Sequence, residues 1–256
     1  MTDQKTRAEQ FKALHVAGKP LVLFNVWDAG SARAVAAANA RALATSSWAV
    51  AAAHGLADGE KLGLDLVIAN LERIVAVTNL PVSIDVESGY GDPAQVVRQT
   101  IEAGAVGCNL EDSFPQDGTL REVSDQVARI RQSRRAANAT GIPYFINART
   151  DVFLQKGARA SDAALMQSVI ERAHAYADAG ADGCFVPGLT DIELIAQLAE
   201  ASPLPVNIML DGNAAGPDEI AKAGAARVSY GPMPYLQMMR ALEAAGGRAL
   251  RGGSPE

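Results

Sequence analysis

The sequence is short of cysteine, has no excess of positive charge and lacks any long uncharged apolar run. Two cysteines in 256 residues, Cys108 and Cys184, are too few for a disulfide framework, and neither has a C-x-x-C partner. That argues against a stapled extracellular scaffold and a cysteine-based zinc site, and points to a reducing compartment, the cytoplasm. The net charge of −6 offers no electrostatic footprint for nucleic acid or an anionic membrane surface. No apolar stretch reaches the length of a membrane span, and residues 1–19 lack the apolar run of a signal peptide. There is no G-x-S-x-G elbow, no dinucleotide or phosphate-loop spacing, and no lysine at a strand end placed for a Schiff base. What is there is ample core material, 48% hydrophobic residues against 20% charged. This composition fits one folded domain acting on small molecules.

The chain repeats itself. Short β-prone runs follow Pro20, Pro81, Pro143 and Pro205, a spacing of about 62 residues. Between them lie second apolar runs, each announced by a helix-ending tripeptide centred on Asn39, Gly104, Gly180 or Gly224. Asn and Gly tolerate the left-handed conformation that closes a helix. Each repeat therefore reads strand, helix, strand, helix, and the main helices are expected at 31–38, 64–78, 93–103, 122–138, 161–179, 191–200, 217–223 and 233–244. Four repeats predict an α/β fold, a (β/α)8 TIM-type barrel. An extra N-terminal helix, 2–16, would cover its bottom. Residues 1–245 would form this single domain and 246–256 a flexible Gly/Arg-rich tail. An open doubly wound sheet is the alternative.

In such a barrel chemistry sits where strands end. Those ends read Asn25-Val26-Trp27-Asp28, Thr45-Ser46-Ser47-Trp48, Asp85-Val86-Glu87, Asn109-Leu110-Glu111-Asp112 and Asn147-Ala148-Arg149-Thr150-Asp151, whereas strands six to eight end quietly. Alternation puts Asp85 and Glu87 on one face, Cα atoms about 6 to 7 Å apart, with Asn109 and Glu111 beside them. Clustered carboxylates either raise one another's pKa or are neutralised by a cation, and hard oxygens select magnesium, manganese or calcium. The alternative is that these acids simply pair with Arg149 and lysines. Arg149 suits a fork for a substrate carboxylate or phosphoryl group. Cys108 and Cys184 sit in equivalent Gly-Cys runs and read as packing residues. His15 and His174 fall in helices, Asp92 reads as a helix cap, and His54 alone of the histidines stands where it could reach a site.

The runs FNVWDAGSARA (24–34), ATSSWAVAAAHGLADGE (44–60), DVESGYGD (85–92), GCNLEDS (107–113) and INARTDVFL (146–154) resemble the phosphoenolpyruvate mutase and isocitrate lyase superfamily. The resemblance covers nearly the whole chain. It implies a (β/α)8 barrel, commonly with the last helix exchanged between protomers, and hence a homo-oligomer, a dimer or tetramer. It implies magnesium, or manganese in its place, with Asp85 as direct ligand and Asp58, Glu87 and Glu111 holding the metal's waters. These last three, with Arg149, are the implied catalytic set. Ser46, Ser47 and Trp48 match the loop that receives a substrate carboxylate, Arg149 the substrate-binding arginine, and Asp28 a structural position.

Family chemistry breaks a C–C or P–C bond beside a 2-oxo or 2-hydroxy acid and stabilises the resulting enolate. Isocitrate and methylisocitrate lyases carry a Lys-Lys-Cys-Gly-His loop after strand four, and the mutases a Lys- and Asn-bearing gate. Here Asp112-SFPQDGTL-Arg121 has no lysine, cysteine or histidine. The mutase histidine after strand six is also absent, at Val186-Pro187-Gly188. The stripped loop favours a magnesium-dependent C–C lyase, of the oxaloacetate decarboxylase or alkylmalate and methylisocitrate lyase kind. The alternatives are a P–C bond enzyme, phosphonomutase or phosphonopyruvate hydrolase, and a non-catalytic carboxylate-binding barrel.

Overall fold

A computed structural model describes residues 2–155, 157–159, 162–210 and 215–254. Each repeat-opening proline leads into a strand, directly or, after Pro143, one residue later: β1 (Leu21–Leu23), β3 (Val82–Asp85), β5 (Phe145–Arg149) and β7 (Val206–Met209). The helix stops Asn39, Gly104, Gly180 and Gly224 have φ of 65°, 97°, 100° and 94°, the left-handed caps expected of them. After them come β2 (Leu43–Ala44), β4 (Gly107–Glu111), β6 (Gly183–Val186) and β8 (Arg227–Ser229). All pairings are parallel, in the order β1-β8-β7-β6-β5-β4-β3-β2. The two remaining edges meet through a parallel bridge between Val26 and Thr45. Val26 N–H donates to the Ala44 carbonyl at 2.9 Å and Ser46 N–H to that of Val26 at 3.2 Å. This edge contact makes the fold a (β/α)8 barrel and removes the open-sheet alternative.

The helices are α1 (Thr2–Ala13), α2 (Ala29–Ala37), α3 (Ser47–Ala53), α4 (Leu64–Ala76), α5 (Pro93–Glu102), α6 (Val123–Ala139), α7 (Ala163–Ala179), α8 (Ile192–Ala201), α9 (Pro217–Lys222) and α10 (Met233–Leu250). Asp28, Asp92 and Asp191 start α2, α5 and α8 by accepting from first-turn backbone N–H groups. α1 closes the bottom of the barrel. Its Phe11 is fully buried and meets Phe145 edge-on at 5.6 Å, while Lys12 pairs with Asp182 at 2.9 Å. His15 stacks on Phe145 at 4.1 Å, and burial pushes its pKa down to about 3, so it is a neutral packing residue. Cys108 and Cys184 are buried in the core with free thiols.

Two expectations change. The Ser46-Ser47-Trp48 run is no strand end: Ser46 caps the unforeseen helix α3, accepting from Ala49 N–H. The last helix runs past Ala244 to Leu250, carrying Gly246 and Gly247 inside it. Each helical glycine costs about 1 kcal/mol against alanine, too little to stop a helix that meets no proline between Pro234 in its first turn and Pro255. The expected start of α7 at Ser161 lies outside the described residues. Among the described residues, no helix is long and apolar enough to cross a membrane.

Candidate active site

The carboxyl ends of the strands surround an open cleft. Its floor and one side bring together Ser46, Ser47, Trp48, Asp58, Asp85 and Arg149 from the start of α3, the ends of β3 and β5 and the 54–63 loop. The opposite side is apolar, built from Leu154, Phe185, Pro187, Met209 and Pro232. Arg149 is the cation lining the cleft among the described residues.

Ser47 stands at the start of α3, so its backbone and side chain face the end of β3 together. Both its N–H (3.4 Å) and its hydroxyl (2.9 Å) donate to Asp85 Oδ2. The other oxygen, Oδ1, is buried with no hydrogen-bond partner among the described residues. A buried carboxylate oxygen left bare calls for a bound group that the chain itself does not provide.

Glu87 differs from the expected picture of strand alternation. β3 ends at Asp85, and Glu87 sits two residues later with φ of +51°. Its Oε2 accepts from Gly59 and Glu60 N–H at 2.7 and 2.6 Å, and its Oε1 from the Tyr90 hydroxyl at 3.0 Å. Glu87 thereby ties the loop carrying Asp58 to the end of β3. Burial, reinforced by Asp58 and Asp85, pushes its pKa up to about 7. Asp58 is raised for the same reason, burial first and then Asp85.

Glu111 accepts from Arg149 Nη1 at 2.9 Å and from the Ser113 hydroxyl at 3.0 Å. Asp151 grips the same arginine with both oxygens, Nε at 2.6 Å and Nη2 at 3.0 Å. Burial raises Glu111 despite Arg149; burial alone would lower Arg149, but Asp151, Glu111 and Asp85 outweigh it and hold the guanidinium charged. Of the buried carboxylate oxygens in this region, Asp85 Oδ1 is the one without a hydrogen-bond partner among the described residues, and Arg149 is held by two carboxylates beside it. Among the described residues no three His, Cys, Asp or Glu side chains form a ready-made metal cage.

Several residues escaped the sequence reading. Trp48 meets Tyr235 of α10 at 6.1 Å, which brings α10 to the rim. Asn25 Oδ1 accepts from Tyr230 and Gly231 N–H, both at 2.9 Å, pinning the turn after β8. Arg227, on the supposedly quiet strand β8, is buried beneath the mouth and donates to Asn109 Oδ1 at 3.2 Å. Burial pushes its pKa down to about 10. The available signal was an arginine inside the apolar run Ala226-Arg227-Val228. His54 caps the end of α3 with Nδ1 2.9 Å from the Val50 carbonyl and does not line the cleft.

Comparison with known proteins agrees along almost the whole chain. A crystal structure from Burkholderia cenocepacia J2315, provisionally named a phosphonomutase, superposes with a TM-score of 0.92 at 51% identity, covering 98% of this chain and 100% of that one. The 2-methylisocitrate lyase of Escherichia coli K12 is 30% identical over 91% of this chain and 81% of its own. The oxaloacetate decarboxylase of Pseudomonas putida KT2440 is 29% identical over 90% of this chain and 80% of its own. Residues 11–250 match the profile of the family phosphoenolpyruvate phosphomutase. The chain therefore belongs to that family, within the phosphoenolpyruvate mutase and isocitrate lyase superfamily.

Proposed function

We propose that the chain is a magnesium-dependent lyase that cleaves a C–C bond beside a 2-oxo or 2-hydroxy carboxylate through a pyruvate-type enolate. The observation that carries this reading is the bare Oδ1 of Asp85 in the same cleft as the clamped Arg149 fork. Magnesium takes one or two carboxylates and keeps several waters, which matches one bare carboxylate oxygen on Asp85 with further acids nearby. The donor set is all hard oxygen, with Asp85 as direct ligand and Asp58, Glu87 and Glu111 toward the waters; manganese would fit the same set. When bound, the ion supplies a Lewis acid that polarises a 2-oxo oxygen.

The chain's own groups do the rest. Arg149 presents a planar fork, preset by Glu111 and Asp151, to a substrate carboxylate. Ser46, Ser47 and Trp48 at the start of α3 line the cleft on the other side and receive the carboxylate there. The apolar wall of Phe185, Pro187 and Met209 keeps the cleft poorly solvated, which strengthens these electrostatic contacts. A phosphoryl group carries more negative charge than a carboxylate, and among the described residues Arg149 is the cation lining the cleft, so C–C cleavage is favoured over P–C cleavage.

The 51% identity to a provisionally named phosphonomutase supports the second reading, a P–C bond enzyme. Pyruvate release from oxaloacetate and alkylmalates, and formation of either pyruvate or phosphoenolpyruvate from phosphonopyruvate, assayed in parallel, separate the two. Activity on the phosphonate alone overturns the C–C assignment, and oxalate binding with no turnover across the panel returns the barrel to a carboxylate binder.

The same proposal includes assembly and place. α10 leaves Met238 and Leu242 exposed, while the outer side of β1 leaves Val22 and Phe24 uncovered. A homo-oligomer in which α10 of one copy covers β1 of another accounts for both. Two free buried thiols fit a cytoplasmic enzyme.

A further inference from the structure

Between Glu111 and Ser113 lies an acid that the cleft does not use. Strand alternation turns Asp112 away from the mouth toward the helix layer, where it is fully buried. Its Oδ2 accepts from Arg172 Nη1 at 2.9 Å and from the Tyr176 hydroxyl at 2.7 Å. Its Oδ1 accepts from Asp151 N–H at 3.0 Å. Arg172 and Tyr176 are one turn apart on α7 and so share a face.

Arg172 has a second contact: its Nη2 donates to the Arg121 carbonyl at 3.1 Å. Asp112 and Arg121 are the two ends of the short segment after β4, and Arg121 N–H donates to the Asp112 carbonyl at 2.7 Å. One guanidinium therefore grips both ends. Between them the segment closes on itself, with Phe114 N–H to Thr119 and Gly118 N–H to Phe114 at 2.8 Å each. The Arg121 guanidinium lies over the Phe114 ring at 4.1 Å.

We propose that Arg172 is a positioning residue, which holds the two ends of the 112–121 segment together beside the Arg149 clamp and, through Asp112 and Asp151, sets the orientation of the Arg149 fork. This rests on the reading of Arg149 as the substrate fork. The path is short: the Asp112 carboxylate fixes the Asp151 backbone, and the Asp151 carboxylate holds Arg149 Nε and Nη2. Only a planar guanidinium can serve a carboxylate and a carbonyl at such divergent positions at once; an ammonium is a point charge.

Hydrogen exchange of peptides covering 112–121 and 149–152 tests this, with and without magnesium plus oxalate. In the wild type, 112–121 is expected to be protected already and to change little when both are added. The paired variant Arg172→Met with Asp112→Asn removes the buried charges together, so neither is stranded. It should exchange about tenfold faster in 112–121, the scale of one lost hydrogen bond, and bind oxalate about tenfold more weakly. With any substrate turned over, KM should rise more than kcat falls. Arg172→Lys keeps a cation against Asp112 but not the fork, so it secures the fold and should still loosen 112–121. Unchanged exchange in both variants, or a wild-type segment that becomes protected only with oxalate, overturns the proposal. Absence of pyruvate release from every substrate overturns the reaction assigned above and leaves the exchange comparison decisive for Arg172.

Discussion

The two halves of the barrel mouth are built on the same scaffold and differ in nearly everything they present. The ends of β3, β4 and β5 carry Asp85, Glu87, Glu111, Arg149 and Asp151, each held by named hydrogen bonds. The ends of β6, β7 and β8 present Phe185, Pro187, Met209 and Gly231 to the same cleft. Parallel strands end alike in backbone terms, so the asymmetry is entirely a matter of side chains. One half can anchor a cation and a carboxylate, and the other can only exclude water and shape what enters. The acid half is also under electrostatic tension, because burial and mutual repulsion raise Asp58, Glu87 and Glu111 together.

The sharpest way to break this contrast is Asp85→Ala. Magnesium binding by calorimetry should disappear and turnover should fall by about a thousandfold, several kcal/mol of charge stabilisation, while circular dichroism keeps the barrel signature. Unchanged metal affinity would move the ion out of the acid half. Next in size, Arg149→Lys should raise KM about 10- to 100-fold with a smaller drop in kcat, because a point charge cannot reproduce the fork between Glu111 and Asp151.

A pH series sharpens the comparison at intermediate size. Glu87 has an ordinary value of 4.5 and stands at about 7 when folded, so the folded state binds more protons than the unfolded one in between. Stability of the metal-free protein is therefore fullest below pH ~4.5 and declines as pH rises through about 7. The melting temperature should fall from pH 5 to 8, magnesium should restore more of it at pH 8 than at pH 5.5, and Glu87→Gln should flatten the profile. A melting temperature that climbs over this range would show that the acids are not under tension. Smallest of all, Met209→Leu in the apolar half should cost less than about 1.5 kcal/mol and leave magnesium affinity unchanged, read by denaturant unfolding and calorimetry.

Much of this was legible in the chain. Prolines 20, 81, 143 and 205 and the caps at Asn39, Gly104, Gly180 and Gly224 mark local chemistry, which a sequence displays directly. Helix α3 was hidden because Ser46-Ser47-Trp48 ends an apolar run and opens another, and only the hydroxyl of Ser46 under Ala49 N–H distinguishes the two. Asp58, Asp85 and Arg149 line one cleft as their positions suggested, but what each is bonded to was not readable. Glu87 serves the 58–60 backbone, and Asp112 is a hub in the helix layer despite adjoining Glu111. Arg227 shows the same limit, since its surroundings come from β4 and the barrel interior, over a hundred residues away.

By itself the sequence determined the period of about 62 residues, the barrel it implies, and which strand ends carry acids, because these depend on neighbours along the chain. Only the tertiary structure decided which buried acid keeps a bare oxygen, which two clamp Arg149, and which is turned away to Arg172 in the helix layer. Those outcomes depend on partners brought from other strands and helices, and on burial, which exists only once the barrel has closed.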